Sequence, residues 1–254
     1  MSLSVALLAG GMATRLYPLT KVIPKSLVDV AGRPFIRHQM ELLRRNGVVN
    51  IVICAGYLGE KIQEALCDGG EMGLYIQYVF DGPRLLGTGG AIRHALPLLG
   101  DPFFVLYGDS FLEIDYRQIE QEFLRCAKLG LMTVYKNSGR WDQSNVLFRN
   151  GQIVAYDKKN PIAEMQYIDY GLGVLRKAAF DGVPEGQFYD LASVYRALVT
   201  REQLAGFEVH RRFYEIGSPE GLVETRAYLD TWLQRKDGDG ILRAELLERR
   251  REDH

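Results

Sequence analysis

Short apolar runs alternate with amphipathic stretches through the first half of the chain. Residues 3–9 form one such run, and it stops at Gly10-Gly11. A run this short, bounded by glycine, predicts a strand buried on both faces. Pro34 suits the first turn of a helix continuing to about Asn46, with Ile36, Met40 and Leu43 on one face and Gly47 ending it. Val49–Cys54 reads as a second buried strand, residues 58–67 as a helix and Tyr75–Phe80 as a third strand. The segment from Gly87 to Leu98 begins glycine-rich and turns helical, and Phe103–Leu106 is a fourth apolar strand ending at Gly108-Asp109. This β-α-β-α order predicts a parallel sheet with right-handed crossovers.

After about residue 116 the texture changes. A helix near 116–128 leads to short strands at 131–136, 144–148 and 152–156, the last two joined by Asn150-Gly151, a strong hairpin signal. A strand near 167–175 and helices near 189–201 and 219–235 follow, the last with Pro219 at its start. No internal repeat or low-complexity linker separates the parts. The expectation is an α/β fold: a Rossmann-like, doubly wound, mostly parallel but mixed sheet flanked by helices. It forms one domain over 1–235, with 1–115 and 116–235 as its two parts. Residues 236–254 are a charged tail starting Asp237-Gly238-Asp239-Gly240. Two readings stand for it: poor order, or docking of Ile241, Leu242, Leu246 and Leu247 on a partner subunit.

Composition narrows the function classes. With 47% hydrophobic and 25% charged residues in 254, the profile is that of a soluble globular protein. A net charge of −1 provides no global field to recruit nucleic acid or an anionic membrane, so phosphate ligands must be met locally. Three scattered cysteines and four histidines argue against a structural zinc site and for free thiols in a reducing cytoplasm. The start of the chain lacks a basic region, and the apolar run after it is too short for a signal or membrane helix.

The candidate chemistry begins where the first strand ends. Gly10-Gly11-Met12-Ala13-Thr14-Arg15 follows that strand, and Pro24-Lys25-Ser26-Leu27 lies nine residues beyond it. Ligands of doubly wound sheets bind outside the carboxyl ends of the strands. Glycines let the backbone approach a ligand, and their N–H groups can face phosphate oxygens. Neither a Walker A loop nor a G-x-G-x-x-G fingerprint is present. An arginine fork suits the oxygens of a triphosphate, and a lysine is a compact charge for a crowded centre, which fits Arg15 and Lys25. Asp109, at the end of the fourth strand, is placed to hold Mg²⁺, which takes one or two carboxylates plus substrate phosphate oxygens. The plainer alternatives are a Gly-Gly turn with a solvated arginine, an exposed turn lysine and a helix-capping aspartate.

The string Leu8-Ala9-Gly10-Gly11 through Thr14-Arg15-Leu16, Pro18-Leu19-Thr20 and Pro24-Lys25-x-Leu27 resembles the signature of the sugar-1-phosphate nucleotidyltransferases, and weaker likeness extends to about residue 232. The resemblance implies a GT-A-like nucleotidyltransferase fold, with 1–115 binding the nucleotide and 116–235 the sugar phosphate. It implies nucleotide contacts from Leu8, Ala9, Gly10, Gly11, Asp81, Gly87 and Thr88, with Arg15 on the β- and γ-phosphates. Lys25 would bridge the α-phosphate and the incoming sugar phosphate. Asp109 and Glu215 would be the ligands of Mg²⁺. Gly108, Lys159 and Asp169 would serve the sugar phosphate. Three departures from the family pattern stand out. The second metal acid is Glu215 rather than aspartate, and its plain alternative is a surface acid beside a Ser218 cap. Lys158 occupies the place of an acid that holds sugar hydroxyls in relatives. Asp81 stands where relatives read the base, though Asp81-Gly82-Pro83 also reads as a turn.

Leu86-Gly87-Thr88-Gly89-Gly90-Ala91 looks most like the heptose 1-phosphate and mannose-1-phosphate guanylyltransferases. An aspartate can accept from both N1–H and N2–H₂ of guanine, which favours GTP, and the likeness to the guanylyltransferases implies a heptose or mannose 1-phosphate. Uridylyl, thymidylyl or cytidylyl transfer to another hexose 1-phosphate remains the alternative. So does a GT-A glycosyltransferase, which would carry Asp-x-Asp where this chain has Gly108-Asp109-Ser110, with Glu113 and Asp115 beyond. A non-catalytic sensor is a third. No nucleic acid or membrane partner is expected, and a homo-oligomer is left open.

Overall fold

The computed structural model describes residues 3–137, 139–141 and 143–234. The charged tail lies outside them.

Strand β1 (Ser4–Ala9) opens the chain. Three 3₁₀ turns follow at Thr14–Leu16, Leu19–Lys21 and Lys25–Leu27, then the hairpin of β2 (Asp29–Val30) and β3 (Arg33–Pro34). Helix α1 (Phe35–Arg45), β4 (Asn50–Ala55), α2 (Gly59–Leu66), β5 (Tyr75–Phe80), α3 (Gly87–Ala95) and β6 (Phe103–Tyr107) complete the first half. Then come β7 (Ser110–Phe111), α4 (Tyr116–Cys126), β8 (Gly130–Lys136), β9 (Val146–Arg149), β10 (Gln152–Tyr156) and β11 (Tyr167–Leu175). Helix α5 (Leu191–Thr200), β12 (Leu204–Val209), β13 (Tyr214–Glu215) and a helix α6 over 219–234 close the described chain.

Nine strands make one sheet in the order β5-β4-β1-β6-β11-β8-β12-β10-β9. The first four run parallel, with Leu8 of β1 opposite both Cys54 of β4 and Tyr107 of β6. From β6 onward antiparallel pairings enter, β11 lying antiparallel to both β6 and β8, while β12 is parallel to β8. The sheet is therefore mixed, and both halves of the chain contribute to it. The chain winds from β1 to β4 and β5 on one side and returns to β6 on the other. That makes the carboxyl ends of β1 and β6 the switch point at which such sheets bind ligands.

Alternation along β1 explains the layering. Val5 and Leu7 pack with Ile36, Met40 and Leu43 of α1 on one face, while Ala6 and Leu8 pack with Ile92 and Ala95 of α3 on the other. A strand buried on both faces must be apolar throughout, as its run predicted. A third cluster, including Phe35, Phe111, Ile216, Leu222 and Trp232, fastens α6 and the short β7–β13 ribbon to α1. At the Asn150-Gly151 hairpin both residues have positive φ, 50° and 74°. Strand β12 was not expected: Gly206 and Glu208 interrupt its run, and its pairing with β8 is distant in sequence.

Candidate active site

The loops after β1 and β6 meet over a cavity of about 220 Å³, lined by Leu8, Ala9, Gly10, Gly11, Asp81, Gly87 and Thr88 but not by Arg15, the cation expected at the β- and γ-phosphates. Lys25, Gly108 and Asp109 line it too. The two glycines after β1 differ in purpose. A Cβ on Gly10 would lie 3.1 Å from the Gly56 nitrogen, and one on Gly56 only 2.7 Å from the Gly10 oxygen, so these strand exits touch backbone to backbone. Nothing lies within 4 Å of a Cβ built on Gly11, which leaves its face open to a ligand. Thr20 Oγ1 donates to the Ala13 oxygen at 2.8 Å and closes the loop that carries Arg15. Arg15 is exposed, and one Nη lies 3.1 Å from where a Cβ on Gly217 would sit, so it reaches the segment that follows Glu215.

Lys25, on its 3₁₀ turn, donates from Nζ to Asp109 Oδ2, with both side chains about one-fifth exposed. The turn bearing Asp109 is held from three sides. Gly108 N donates to Leu8 O at 2.8 Å, and Ile216 N to Asp109 O at 3.0 Å. Gln39 of α1, 1% exposed, donates from Nε2 to Tyr107 O at 2.9 Å and to Ser110 O at 2.7 Å. A Cβ on Gly108 would meet Leu8 O at 2.9 Å, so glycine is required there by packing. Gly108 lies on the first cavity, not with Asp169 where the sugar phosphate was expected.

The β7–β13 ribbon sets Glu215 opposite Ser110, one residue from Asp109. Glu215 and Asp109 both line a second cavity of about 270 Å³, together with Asn145, Lys158, Asp169 and Tyr170. The expected Ser218 cap is also present, its Oγ accepting from Gly221 N at 3.0 Å. Glu113 and Asp115 turn elsewhere: Glu113 takes hydrogen bonds from Arg211, Tyr228 and Trp232, and Asp115 caps α4.

Asp81 is half-buried, and its carboxylate accepts from Leu86 N at 3.1 Å. Burial raises its pKa, against the lowering effects of that hydrogen bond and of His94. Beneath it the Cys54 thiol is pushed up to about 12 by burial and by Asp81. At the glycine-rich start of α3 two amides are taken up by protein: Gly89 N and Gly90 N both donate to Tyr189 O, at 2.8 and 3.0 Å. Cβ atoms on Gly87, Gly89 and Gly90 would press on residues 187–191. Thr88 Oγ1 likewise donates to Asp190 Oδ1 at 3.2 Å and accepts from Leu191 N at 2.9 Å.

Asp169 is nearly buried at a bulge in β11, where Gly171 has φ 100° and donates to Asp169 Oδ1 at 3.1 Å. Tyr156 donates its hydroxyl to Asp169 Oδ2 at 3.1 Å. The lysine beside Asp169 is Lys158: its Nζ lies 3.3 Å from Asp169 Oδ2 and 5.6 and 5.8 Å from the ring centres of Tyr107 and Tyr156. Lys159, the residue expected here, is exposed and lines neither cavity. Asp157 Oδ1 accepts from Lys159 N and Asn160 N, and this tight turn separates the two neighbouring lysines. The Asp-x-x-Asn spacing is the sequence signal for that turn. Gln39 carried a fainter signal, as a polar residue among the apolar positions of α1. Burial, followed by the charge of Asp169, holds the Tyr107, Tyr156 and Tyr195 hydroxyls far above their ordinary pKa, so none is a base near neutrality.

A family model described as "Nucleotidyl transferase" matches residues 5–140, just over half of the chain. An N-acetylmuramate alpha-1-phosphate uridylyltransferase of Neisseria meningitidis is 30% identical over 89% of this chain and 98% of its own length. A mannose-1-phosphate guanylyltransferase catalytic subunit beta of Xenopus tropicalis is 26% identical over 85% of this chain, which spans 62% of that protein. The crystal structure of HddC from Yersinia pseudotuberculosis complexed with GMP-PN superposes with a TM-score of 0.73, covering 90% of this chain and all of HddC at 22% identity, a likeness of fold.

Proposed function

The chain belongs to the nucleotidyl transferase family, and from that premise we propose that it joins a nucleoside triphosphate to a sugar 1-phosphate, releasing pyrophosphate. The observation that carries this reading is that Asp109, paired with Lys25, lines both cavities. One cavity would take the nucleotide and the other the sugar phosphate, so their reacting groups meet at this pair.

A sugar-phosphate oxygen attacks the α-phosphorus and forms the new P–O bond. The bond to the α,β-bridging oxygen breaks, and pyrophosphate leaves with the electron pair. The second pKa of a phosphate monoester is about 6, so the nucleophile is largely dianionic at neutral pH and needs no general base. That agrees with a site whose tyrosines stay protonated. The barrier is repulsion between anions, lowered by fixed positive charge. Lys25 stands at the junction and Lys158 in the second cavity, while Arg15, beside Gly217, is the cation we assign to the leaving phosphates. Lys158 therefore replaces Lys159 as the sugar-phosphate cation, with Asp169 fixing its position. Ser26, buried in the wall of the first cavity, has a hydroxyl with no partner among the described residues, which a polar ligand atom would satisfy.

Asp109 and Glu215 are the residues that would hold Mg²⁺. Two carboxylates beside a phosphate site fit its preference, and no cluster of three or more His, Cys, Asp or Glu suited to a metal occurs among the described residues. When bound, the ion neutralises triphosphate charge. Asp81, an acceptor at the nucleoside end, supports GTP, and a heptose or mannose 1-phosphate is the accompanying sugar. The uridylyltransferase relative keeps UTP as the second reading. The glycosyltransferase alternative loses support because neither Glu113 nor Asp115 faces this site.

The test is pyrophosphate release with Mg²⁺, each NTP and a panel of sugar 1-phosphates. The expected result is release with GTP and a manno-configured sugar. UTP as the sole productive nucleotide would overturn the base assignment, and silence with every pair would overturn the reaction.

A further inference from the structure

We propose that Phe188 is a nucleoside-binding residue whose ring packs on the face of the nucleobase; the inference rests on the nucleotide reading of the first cavity. Phe188 and Leu85 are the two large apolar side chains lining that cavity that stand exposed, at 71% and 37%. An isolated exposed leucine is ordinary, but a phenylalanine this open on a cavity wall leaves a flat apolar surface uncovered. The ring sits against Gly87, where a Cβ would come within 2.9 Å of its Cε2. Gly87 and Thr88 line the cavity together with Asp81, whose carboxylate accepts from Leu86 N, the residue before Gly87. The polar edge of a base could thus meet Asp81 while its face meets Phe188.

The backbone that carries the ring is also held in place by contacts within the chain. Its neighbours in sequence are locked onto α3: Tyr189 N donates to Leu86 O at 2.8 Å, and Tyr189 O accepts from Gly89 N and Gly90 N. On the other side a Cβ on Gly90 would lie 2.6 Å from Gln187 O, so that contact is also tight. Residues 187–191 belong to the second half of the chain, yet they cap the nucleoside segment of the first. An aromatic side chain with two rotatable bonds on a backbone held this way loses little entropy on binding.

Base–aromatic stacking is worth about 1–3 kcal/mol per base by alanine substitution, roughly 5- to 150-fold in affinity. The test compares wild type with Phe188→Ala, Phe188→Leu and Phe188→Tyr in steady-state pyrophosphate release, with equilibrium dialysis of the NTP alongside. The expected result is that Phe188→Ala raises KM for the NTP and its Kd by that factor. Its kcat and its KM for the sugar 1-phosphate should stay near wild type. Phe188→Tyr should retain tight binding, and Phe188→Leu, apolar but not planar, should not. An exposed side chain can be truncated without unfolding the protein, and circular dichroism of each variant checks that. Wild-type binding of the NTP by Phe188→Ala or by Phe188→Leu overturns the stacking role while leaving the nucleotide reading intact. A wild-type protein that neither binds an NTP nor releases pyrophosphate overturns both.

Discussion

Gln39 lines neither cavity of the site, yet its replacement by leucine should be felt at Asp109. The side chain is buried, and its amide nitrogen bonds the carbonyls on both sides of the Gly108-Asp109 turn, at 2.9 and 2.7 Å. Leucine fills similar space and removes both donors. Each lost hydrogen bond costs about 1 kcal/mol net, and a carbonyl left without a partner costs roughly 1–3 kcal/mol. The sum for two carbonyls is about 2–6 kcal/mol, or about 4–24 °C in Tm for a chain of this size. The turn then keeps its bonds to Leu8 and from Ile216, the Lys25–Asp109 pair and the ribbon pairing of Ser110 with Glu215. A shift of about 1 Å in a reacting group can cost on the order of 100-fold in rate. Gln39→Leu should therefore lose at least tenfold in kcat/KM at 20 °C, where circular dichroism shows it folded, and should need more Mg²⁺ for half-maximal pyrophosphate release. Asp115→Ala is the control: it removes the α4 cap, should cost about 1 kcal/mol of stability, and should leave turnover alone. If Gln39→Leu lowers Tm but matches the turnover and Mg²⁺ dependence of Asp115→Ala, the glutamine supports the fold and does not position Asp109.

Lys25→Ala and Asp109→Asn should each lower kcat/KM by about 100-fold or more, with far-ultraviolet dichroism unchanged; turnover near wild type in either would remove that residue from the mechanism. Asp81 has a raised pKa, so it gains its proton at a higher pH than an ordinary aspartate. KM for GTP should rise as pH falls from 7.5 towards that pKa, and the profile of Asp81→Asn should be flat. The same sign makes the charged form a burden on the fold above its pKa, so Asp81→Asn should not lower Tm at pH 7.5. Gly90→Ala drives a Cβ to 2.6 Å from Gln187 O and should lower Tm through about 1–3 kcal/mol of overpacking. Gly11→Ala meets nothing within 4 Å and should keep its Tm while raising KM for the nucleotide.

Much of the architecture was legible because strands buried on both faces must be apolar, and the runs at β1, β4 and β6 have no other reading. The face of α1 was equally plain from the spacing of Ile36, Met40 and Leu43, all fully buried. Elements stabilised mainly by distant partners left little trace. Strand β12 has an interrupted run, and the two-residue ribbon of β7 and β13 draws its order from Phe111 and Ile216 packing under α6. That ribbon is nevertheless what brings Glu215 to Asp109, more than one hundred residues apart in the chain.

The misread details share one physical cause: a residue type names a chemistry, but a local hydrogen bond decides which copy of it faces the site. Two adjacent lysines were equivalent on composition until Asp157 bound the amides of Lys159 and Asn160 and Lys158 alone approached Asp169. Three glycines opening a helix look alike whether a ligand or a loop lies against them, and here it is the 187–191 loop that needs the space. The same displacement explains why Phe188 escaped notice. Once those glycines are occupied by protein, the surface offered to a base is no longer bare backbone. In the proposed reading it is the side chain that the intruding loop carries, and affinity at the nucleoside end then draws on both halves of the chain.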